Sequence, residues 1–187
     1  MIPKIIHYCW FGGKPLPPLA LSCINSWKKF FPDYEIKEWN EKNFDVNQIK
    51  YTKEAYKQKK YAYVSDYARF KILKEYGGIY FDTDVEIIRS FKDIIDNGNF
   101  FGFEVDPDGK NTPGIYAPKY CFAVNPGLGF GFEKNHPFLN DIIKKCCTNR
   151  MKCAANGCMS YNEQQSIPAF SVRDRWCVCG RWLSGVR

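Results

Sequence analysis

The stretch Gly77-Gly78-Ile79-Tyr80-Phe81-Asp82-Thr83-Asp84 decides how this chain is read. Its two glycines close an apolar, helix-period run over residues 61–76, since glycine just past the last helical residue is the usual helix stop. Ile79-Tyr80-Phe81 then reads as a buried strand over 79–82. In extended backbone, residues i and i+2 share a face, so Asp82 and Asp84 reach one cation or one ligand. They stand at the carboxyl end of a core strand, where open α/β sheets place their ligands. A D-x-D is short enough to arise by chance, so its meaning comes from what surrounds it.

Upstream, Asp66, Arg69 and Leu73 are spaced i, i+3, i+7 and share one helix face, while Tyr63, Tyr67, Phe70, Ile72 and Tyr76 make most of the remaining surface apolar. A helix apolar nearly all round is a buried one, and charge held in it is costly unless paired or put to use. Two readings stand for Asp66 and Arg69: an internal ion pair, or an acceptor and donor that together clamp sugar hydroxyls. Further upstream, Ile5-Ile6-His7-Tyr8-Cys9-Trp10-Phe11-Gly12-Gly13 reads as a buried first strand entering a glycine turn, which lets backbone approach a ligand. Trp10 either belongs to the core or stacks on a base. His7 reads as a core histidine satisfied by its neighbours.

The coarse pattern alternates strand 4–10, helix 19–30, strand 34–39, helices 52–59 and 61–76, strand 79–82, strands near 100–104 and 121–125, and a helix from 137. Such alternation argues for α/β layers. Val124-Asn125-Pro126-Gly127-Leu128-Gly129-Phe130-Gly131 is either a loop lining an acceptor side at Gly127 and Gly129, or an ordinary turn before the last helix.

Taken together, Ile6 to Gly13, Ser65-Asp66-Tyr67-Ala68-Arg69 with Leu73, and Gly77 to Asp84 closely resemble the D-x-D sugar transferases of glycosyltransferase family 32. That family includes bacterial capsular-polysaccharide transferases and yeast-type mannosyltransferases, and is similar to the glucosylating domains of clostridial toxins. The resemblance covers roughly residues 1–140. It implies a GT-A-type fold, a mixed sheet flanked by helices, that binds a nucleotide-diphosphate sugar. By resemblance Trp10 stacks on the base and Ser65 lies beside the nucleotide. Asp66 and Arg69 hold sugar hydroxyls, and Tyr80 and Asp82 also serve donor binding. Asp84, with Asp82 beside it, coordinates Mn²⁺ or Mg²⁺, whose oxygen-ligand preference suits few protein groups completed by phosphate and water. Retention of anomeric configuration is implied in the same way, and a glycan or lipid-linked acceptor is expected.

At 187 residues, 45% of them hydrophobic and 17% aromatic, the chain is long enough to bury one substantial core. The expected catalytic domain is 1–148. The formal charge of +7 is uneven: residues 1–75 carry 14 Lys/Arg against 8 Asp/Glu, and residues 76–149 carry 7 against 10. The basic first part suits a solvated face or peripheral contact with an anionic inner membrane, while the acidic centre argues against a nucleic-acid footprint. No secretory signal opens the sequence and no run of 18 apolar residues crosses it, so a cytoplasmic enzyme is expected, with its 9 cysteines reduced. Cys9, Cys23 and Cys121 read as small core residues.

Residues 149–187 change character. Before residue 150 the 21 basic residues are 19 Lys and 2 Arg; from there on they are 5 Arg and 1 Lys, together with 4 of the 9 Cys. This tail reads as out of frame or poorly ordered, and Cys153, Cys158, Cys177 and Cys179 match no standard zinc spacing. The leading function is therefore a metal-dependent glycosyltransferase of surface polysaccharide assembly. The alternative is a truncated relative that binds a nucleotide sugar or a partner without turnover. A nucleotidyltransferase or metal-dependent hydrolase would need a phosphate-cradling loop or a His-rich metal set, and only His7 and His136 are present.

Overall fold

Branched and aromatic residues favour the pleated setting of a sheet, and Ile5, Ile6 and Tyr8 accordingly build the central strand β1 (Ile5–Cys9). The computed structural model of the chain describes residues 1–104, 123–124 and 126–147. From β1 the chain runs through α1 (Pro18–Phe30) to β2 (Glu35–Trp39), then through α2 (Lys50–Lys57) and α3 (Tyr61–Tyr76) to β3 (Gly78–Tyr80). There follow α4 (Lys92–Asp96), β4 (Phe100–Phe101), β5 (Phe103–Glu104), β6 (Ala123–Val124), β7 (Phe130–Phe132) and α5 (Pro137–Cys147).

The main sheet has the order β2-β1-β3-β7-β4. β1 pairs in parallel with both β2 and β3, whereas β7 runs antiparallel to β3 and β4. β5 and β6 form a separate antiparallel pair. This is a mixed α/β sheet flanked by helices. Alternation along each strand divides the core into two layers. Ile6 and Tyr8 of β1, Ile79 of β3 and Phe100 of β4 face Cys23, Ile24 and Trp27 of α1. Cys9, Tyr80, Phe130 and Phe132 face Val64, Tyr67, Phe70 and Leu73 of α3, with Phe138 and Leu139 of α5 behind them. The strand order turns back at β1, with the crossover helix α1 on one face of the sheet and α3 on the other, and β1 and β3 are adjacent parallel strands whose carboxyl ends lie side by side. That is the geometry in which open α/β sheets leave a ligand crevice.

His7 is the core histidine expected from the sequence. It is fully buried, donates from Nε2 to the Gly77 carbonyl (2.9 Å), and accepts at Nδ1 from the Trp39 indole N–H (3.0 Å). Burial pushes it down to about 4 despite the hydrogen bond to Gly77, so it is neutral across the physiological range. Gly77 caps α3 in a left-handed conformation, its N–H donating to Leu73 O (2.8 Å).

Several expectations shift. β3 ends at Tyr80, so Asp82 and Asp84 are not strand residues; they lie in a turn closed by the Val85 N–H on Asp82 O (3.1 Å). α2 begins at Lys50 and ends at Lys57, two residues ahead of the expected 52–59. α3 is buried along one broad face only: Val64, Tyr67, Ala68, Arg69, Phe70, Ile72 and Leu73 are buried, while Tyr76 is 40% exposed. The glycine-rich 124–131 stretch is neither only a loop nor only a turn, because Phe130-Gly131-Phe132 forms an interior strand. Cys9 and Cys23 are buried free thiols as expected. Cys121, part of the strand expected near 121–125, and the 149–187 tail with its cysteines lie outside the described residues. Among the described residues no helix is long and apolar enough to cross a membrane.

Gly78 has φ +103°, and a Cβ there would stand 2.6 Å from the Ile5 carbonyl oxygen and 3.0 Å from His7 Nε2. Backbone cannot yield as a flexible side chain can. Gly78→Ala is therefore expected to destabilise the fold by about 2 kcal/mol or more, read as a lowered urea midpoint.

Candidate functional site

The D-x-D turn is fixed on every side by main-chain and buried contacts. The Phe81 N–H donates to His7 O (3.1 Å), which carries β1–β3 pairing one residue further, and the Asp82 N–H donates to Gly127 O (3.0 Å). Beyond the turn, the Trp27 indole donates to Val85 O (2.7 Å) and the Ile87 N–H donates to Ser26 Oγ (2.9 Å), tying the exit to α1. Asp82 and Asp84 are thus presented by backbone held from the sheet, the 126–129 turn and a helix. Gly129, at φ +132°, leaves no space for a Cβ, which would stand 2.6 Å from the Phe81 ring.

Arg69 lies beneath this turn with its side chain only 8% exposed. Its Nη2 donates to Asp66 Oδ1 (2.6 Å), Nε donates to the Ser65 carbonyl (3.2 Å), and Nη1 lies 3.6 Å from Asp82 Oδ2. The guanidinium also sits over the Tyr80 ring at 5.2 Å. The Tyr80 hydroxyl donates to Asp82 Oδ1 (3.0 Å), so both Asp82 oxygens already face protein groups. Of the two readings of Asp66 and Arg69, the ion pair is formed, and it stands against the D-x-D through Asp82.

Electrostatics follow from this count. One guanidinium faces Asp66, Asp82 and Asp84, so with all groups ionised the site carries two negative charges. Burial pushes Asp66 up to about 6, overcoming the pull of Arg69, and Asp82 adds to the rise. Asp84 is also raised, first by desolvation and then by Asp82. Burial alone would lower Arg69, but Asp82, Tyr80 and Asp66 outweigh it and hold the guanidinium charged. Such a surplus of carboxylate fits a divalent cation: Asp84 is exposed, and a cation would relieve its repulsion with Asp82. Among the described residues no group of three or more His, Cys, Asp or Glu could hold a metal, so these residues alone would not complete a coordination shell.

Trp10 follows β1 as the D-x-D follows β3, and because β1 and β3 are parallel neighbours both stand at the same end of the sheet. It is half-buried; its backbone N–H donates to Trp39 O (2.8 Å), and its indole N–H to Lys14 O (2.6 Å). Its ring packs in part against the α1-side core, so part of the residue is scaffold. Ser65 is half-buried, its hydroxyl donating to Tyr61 O (3.3 Å). The structure thus gathers Ser65, Asp66, Arg69, Tyr80 and Asp82 into one network, with Asp84 in the same turn. It sets Gly127 and Gly129 against that turn through Asp82 and Phe81.

Two neighbours escaped the sequence reading. Cys9 had been read as core filler, yet its thiol lies among Arg69, Tyr80, Asp82 and Ser65 and is pushed up to about 12, chiefly by burial. Its position at the end of β1, just before Trp10, was the available signal. Glu41, in the turn after β2, accepts from the Gly12 N–H (2.5 Å), and no local pattern announces a contact spanning 29 residues.

A raised folded-state pKa means that the folded chain binds a proton more tightly than the unfolded chain. The contribution of Asp66 to stability is therefore fully present below the ordinary carboxylate range and lost as pH rises through about 6. Denaturant titrations of the metal-free chain are expected to show a fall of up to about 3 kcal/mol between pH 4 and pH 7 from this group. Asp66→Asn should abolish that part of the fall.

Comparisons with known proteins agree with this geometry. Residues 17–101 match the family described as glycosyltransferase sugar-binding region containing DXD motif, a span that includes Ser65, Asp66, Arg69, Tyr80, Asp82 and Asp84 but not Trp10 or Gly127. An uncharacterised glycosyltransferase of Acanthamoeba polyphaga mimivirus is 34% identical over 154 residues, covering 77% of this chain and 55% of that protein. Inositol phosphoceramide mannosyltransferase 3 of Schizosaccharomyces pombe is 27% identical over 151 residues, covering 76% of this chain and 36% of that protein. The chain thus spans about half or less of the length of these curated relatives. Among solved structures the fold is similar to the PaToxG glycosyltransferase, with a TM-score of 0.65 and 21% identity over 89% of this chain and 70% of that one. Residues 17–101 thus resemble a glycosyltransferase sugar-binding region containing a DXD motif, the chain is similar to glycosyltransferases of a family 32-like group, and its α/β fold is GT-A-like.

Proposed function

We propose that this chain transfers a sugar from a nucleotide-diphosphate donor to a hydroxyl of a glycan or lipid-linked acceptor, with Mn²⁺ or Mg²⁺ on the diphosphate. The observation that carries this reading is the buried Arg69 joined to Asp66 and Asp82 beneath the exposed Asp84, at the sheet end where Trp10 leaves the neighbouring strand. Donor binding then divides between the two strand ends. Trp10 offers an aromatic face to the base after β1, and Ser65 flanks the nucleotide. Asp66 accepts from, and Arg69 donates to, hydroxyls of the sugar. Asp82, oriented by Tyr80 and Arg69, reaches ribose and sugar. Asp84 supplies the protein oxygen for the cation.

The reaction is displacement at the anomeric carbon: the acceptor hydroxyl oxygen bonds to it, the bond to the diphosphate oxygen breaks and that electron pair leaves with the nucleoside diphosphate, and the hydroxyl proton passes to the departing diphosphate oxygen or to solvent. A bound cation would stabilise the negative charge gathering on the departing group. The chain's own residues orient the sugar. Arg69 also places a fixed positive charge beneath it at no reorganisation cost, since its partners already hold it. Retention of configuration, catalysis within residues 1–148, a role in bacterial capsular polysaccharide assembly, and a cytoplasmic enzyme peripheral to the inner membrane face belong to the same proposal. The membrane contact draws support from the lysine-rich first part of the chain.

Calorimetric titration of the 187-residue chain with UDP and GDP, with and without Mn²⁺, tests the reading directly. Metal-dependent binding followed by hydrolysis of the matching nucleotide sugar is the expected result, and binding without turnover favours a donor-binding relative. Asp84→Ala is expected to remove the metal-dependent increment in affinity while leaving the urea midpoint unchanged; a persisting increment argues against Asp84 as the metal ligand. Asp66→Asn should lower turnover by roughly ten- to a hundredfold, as for one hydrogen bond to a charged group, with a smaller change in UDP or GDP affinity.

A further inference from the structure

We infer that Glu41 is a positioning residue for the Trp10 loop: by holding the Gly12 amide it fixes the indole in the orientation that receives the donor's base. This inference rests on the donor-binding reading above.

Residues 10–14 contain two glycines with positive φ, Gly12 at 97° and Gly13 at 66°. Glycine reaches such angles about as readily as others, so the loop has little conformational preference of its own and must be fixed from outside. Its ends are tied by the Trp10 N–H on Trp39 O and the Trp10 indole on Lys14 O. Between those ties the Gly12 N–H donates to Glu41 Oε1 at 2.5 Å. Gly12 also lies flat against the Tyr61 ring, where a Cβ would overlap it. Tyr61 begins α3, and its carbonyl takes the Ser65 hydroxyl, so the loop is seated on the same turn of helix that leads to Asp66 and Arg69.

Glu41 is itself well held. Asn40 and Asn43 lock its turn, the Asn40 N–H donating to Asn43 Oδ1 (2.8 Å) and the Lys42 N–H to Asn40 Oδ1 (2.9 Å). The Tyr56 hydroxyl, near the end of α2, lies close enough to the Glu41 carboxylate to favour its ionised form, and Tyr56 packs on Tyr61 at 5.5 Å. Burial alone would raise Glu41, but hydrogen bonds from the Gly12 amide, its own amide and Tyr56 outweigh it and hold the group below its ordinary value. It is therefore ionised at neutral pH, and a charge-assisted hydrogen bond to an amide is about twice as strong as a neutral one. Among the described residues Glu41 makes no ion pair, so its charge is committed to backbone in this loop.

The test combines two readouts on the full chain. The first is Mn²⁺-dependent affinity for UDP, GDP and inorganic pyrophosphate in Glu41→Ala, Glu41→Gln, Trp10→Ala and the Glu41→Ala/Trp10→Ala double variant. Glu41→Ala is expected to weaken the nucleoside diphosphate that wild type binds by about tenfold, the loss of one hydrogen bond to a charged group, and to leave pyrophosphate unchanged. Glu41→Gln, which keeps the acceptor oxygen, should stay within about threefold of wild type, and Glu41→Ala should cost nothing further in the Trp10→Ala background. An equal loss in that background, or an equal loss for pyrophosphate, overturns the inference and makes Glu41 a general stabiliser. The second readout needs no nucleotide: acrylamide quenching of the Trp10 emission, taken as wild type minus Trp10→Phe. Glu41→Ala should increase it, and no change overturns the positioning claim. Tyr56→Phe should shift both readouts in the same direction by less, which keeps the test open if Glu41→Ala does not fold. Failure of wild type to bind either nucleotide strikes the donor reading, while the quenching result still decides whether Glu41 orders the loop.

Discussion

A single buried guanidinium organises this molecule. Arg69 cannot lie under the sheet end without partners, because a buried unpaired charge costs several kcal/mol. Its partners come from three places in the chain: the Ser65 carbonyl and Asp66 from its own helix, Tyr80 from β3, and Asp82 from the turn beyond. Meeting that requirement fixes the rotation of α3 about its axis and the height of the D-x-D above the sheet. Apolar contacts of Val64, Tyr67, Phe70 and Leu73 hold the helix down. Arg69 determines which of its faces looks up at the ligand crevice.

Much of this was legible in sequence because it is local. The α3 boundaries, its glycine stop, the core character of His7 and the Asp66–Arg69 pairing follow from spacings within one element. What was not legible depends on partners far away. Phe130-Gly131-Phe132 has the composition of a loop, and it becomes a strand because β3 and β4 offer backbone on both sides and α3 and α5 cover its phenylalanines. α4 is five residues long, too short to show a helical period. The side-by-side placement of Asp82 and Asp84 was inferred from strand alternation, whereas in the fold a turn, anchored by Gly127, Trp27 and Ser26, presents them differently: Asp82 half-buried against Arg69, Asp84 exposed.

That asymmetry separates two jobs that the motif, read as a string, leaves merged. A carboxylate held at both oxygens by Tyr80 and Arg69 is rigid and suited to fixing a ligand's orientation. An exposed carboxylate beside it, repelled by its neighbour, is suited to a cation that arrives with its own phosphate and water ligands.

The surplus negative charge also bears on why the site is built of so few groups. A chain that supplied a full ligand cage would bind a divalent cation whether or not a diphosphate were present. Three carboxylates against one guanidinium supply attraction, but among the described residues they do not form a cluster able to complete coordination alone. On the proposed donor reading, phosphate oxygens would supply further ligands, and binding of cation and donor would then be coupled, each raising the affinity of the other by the same factor. Departure of the diphosphate would take away the oxygens that completed the coordination. On the proposed reading, the small number of carboxylates that the described residues bring to the cation would favour its release with the spent nucleotide.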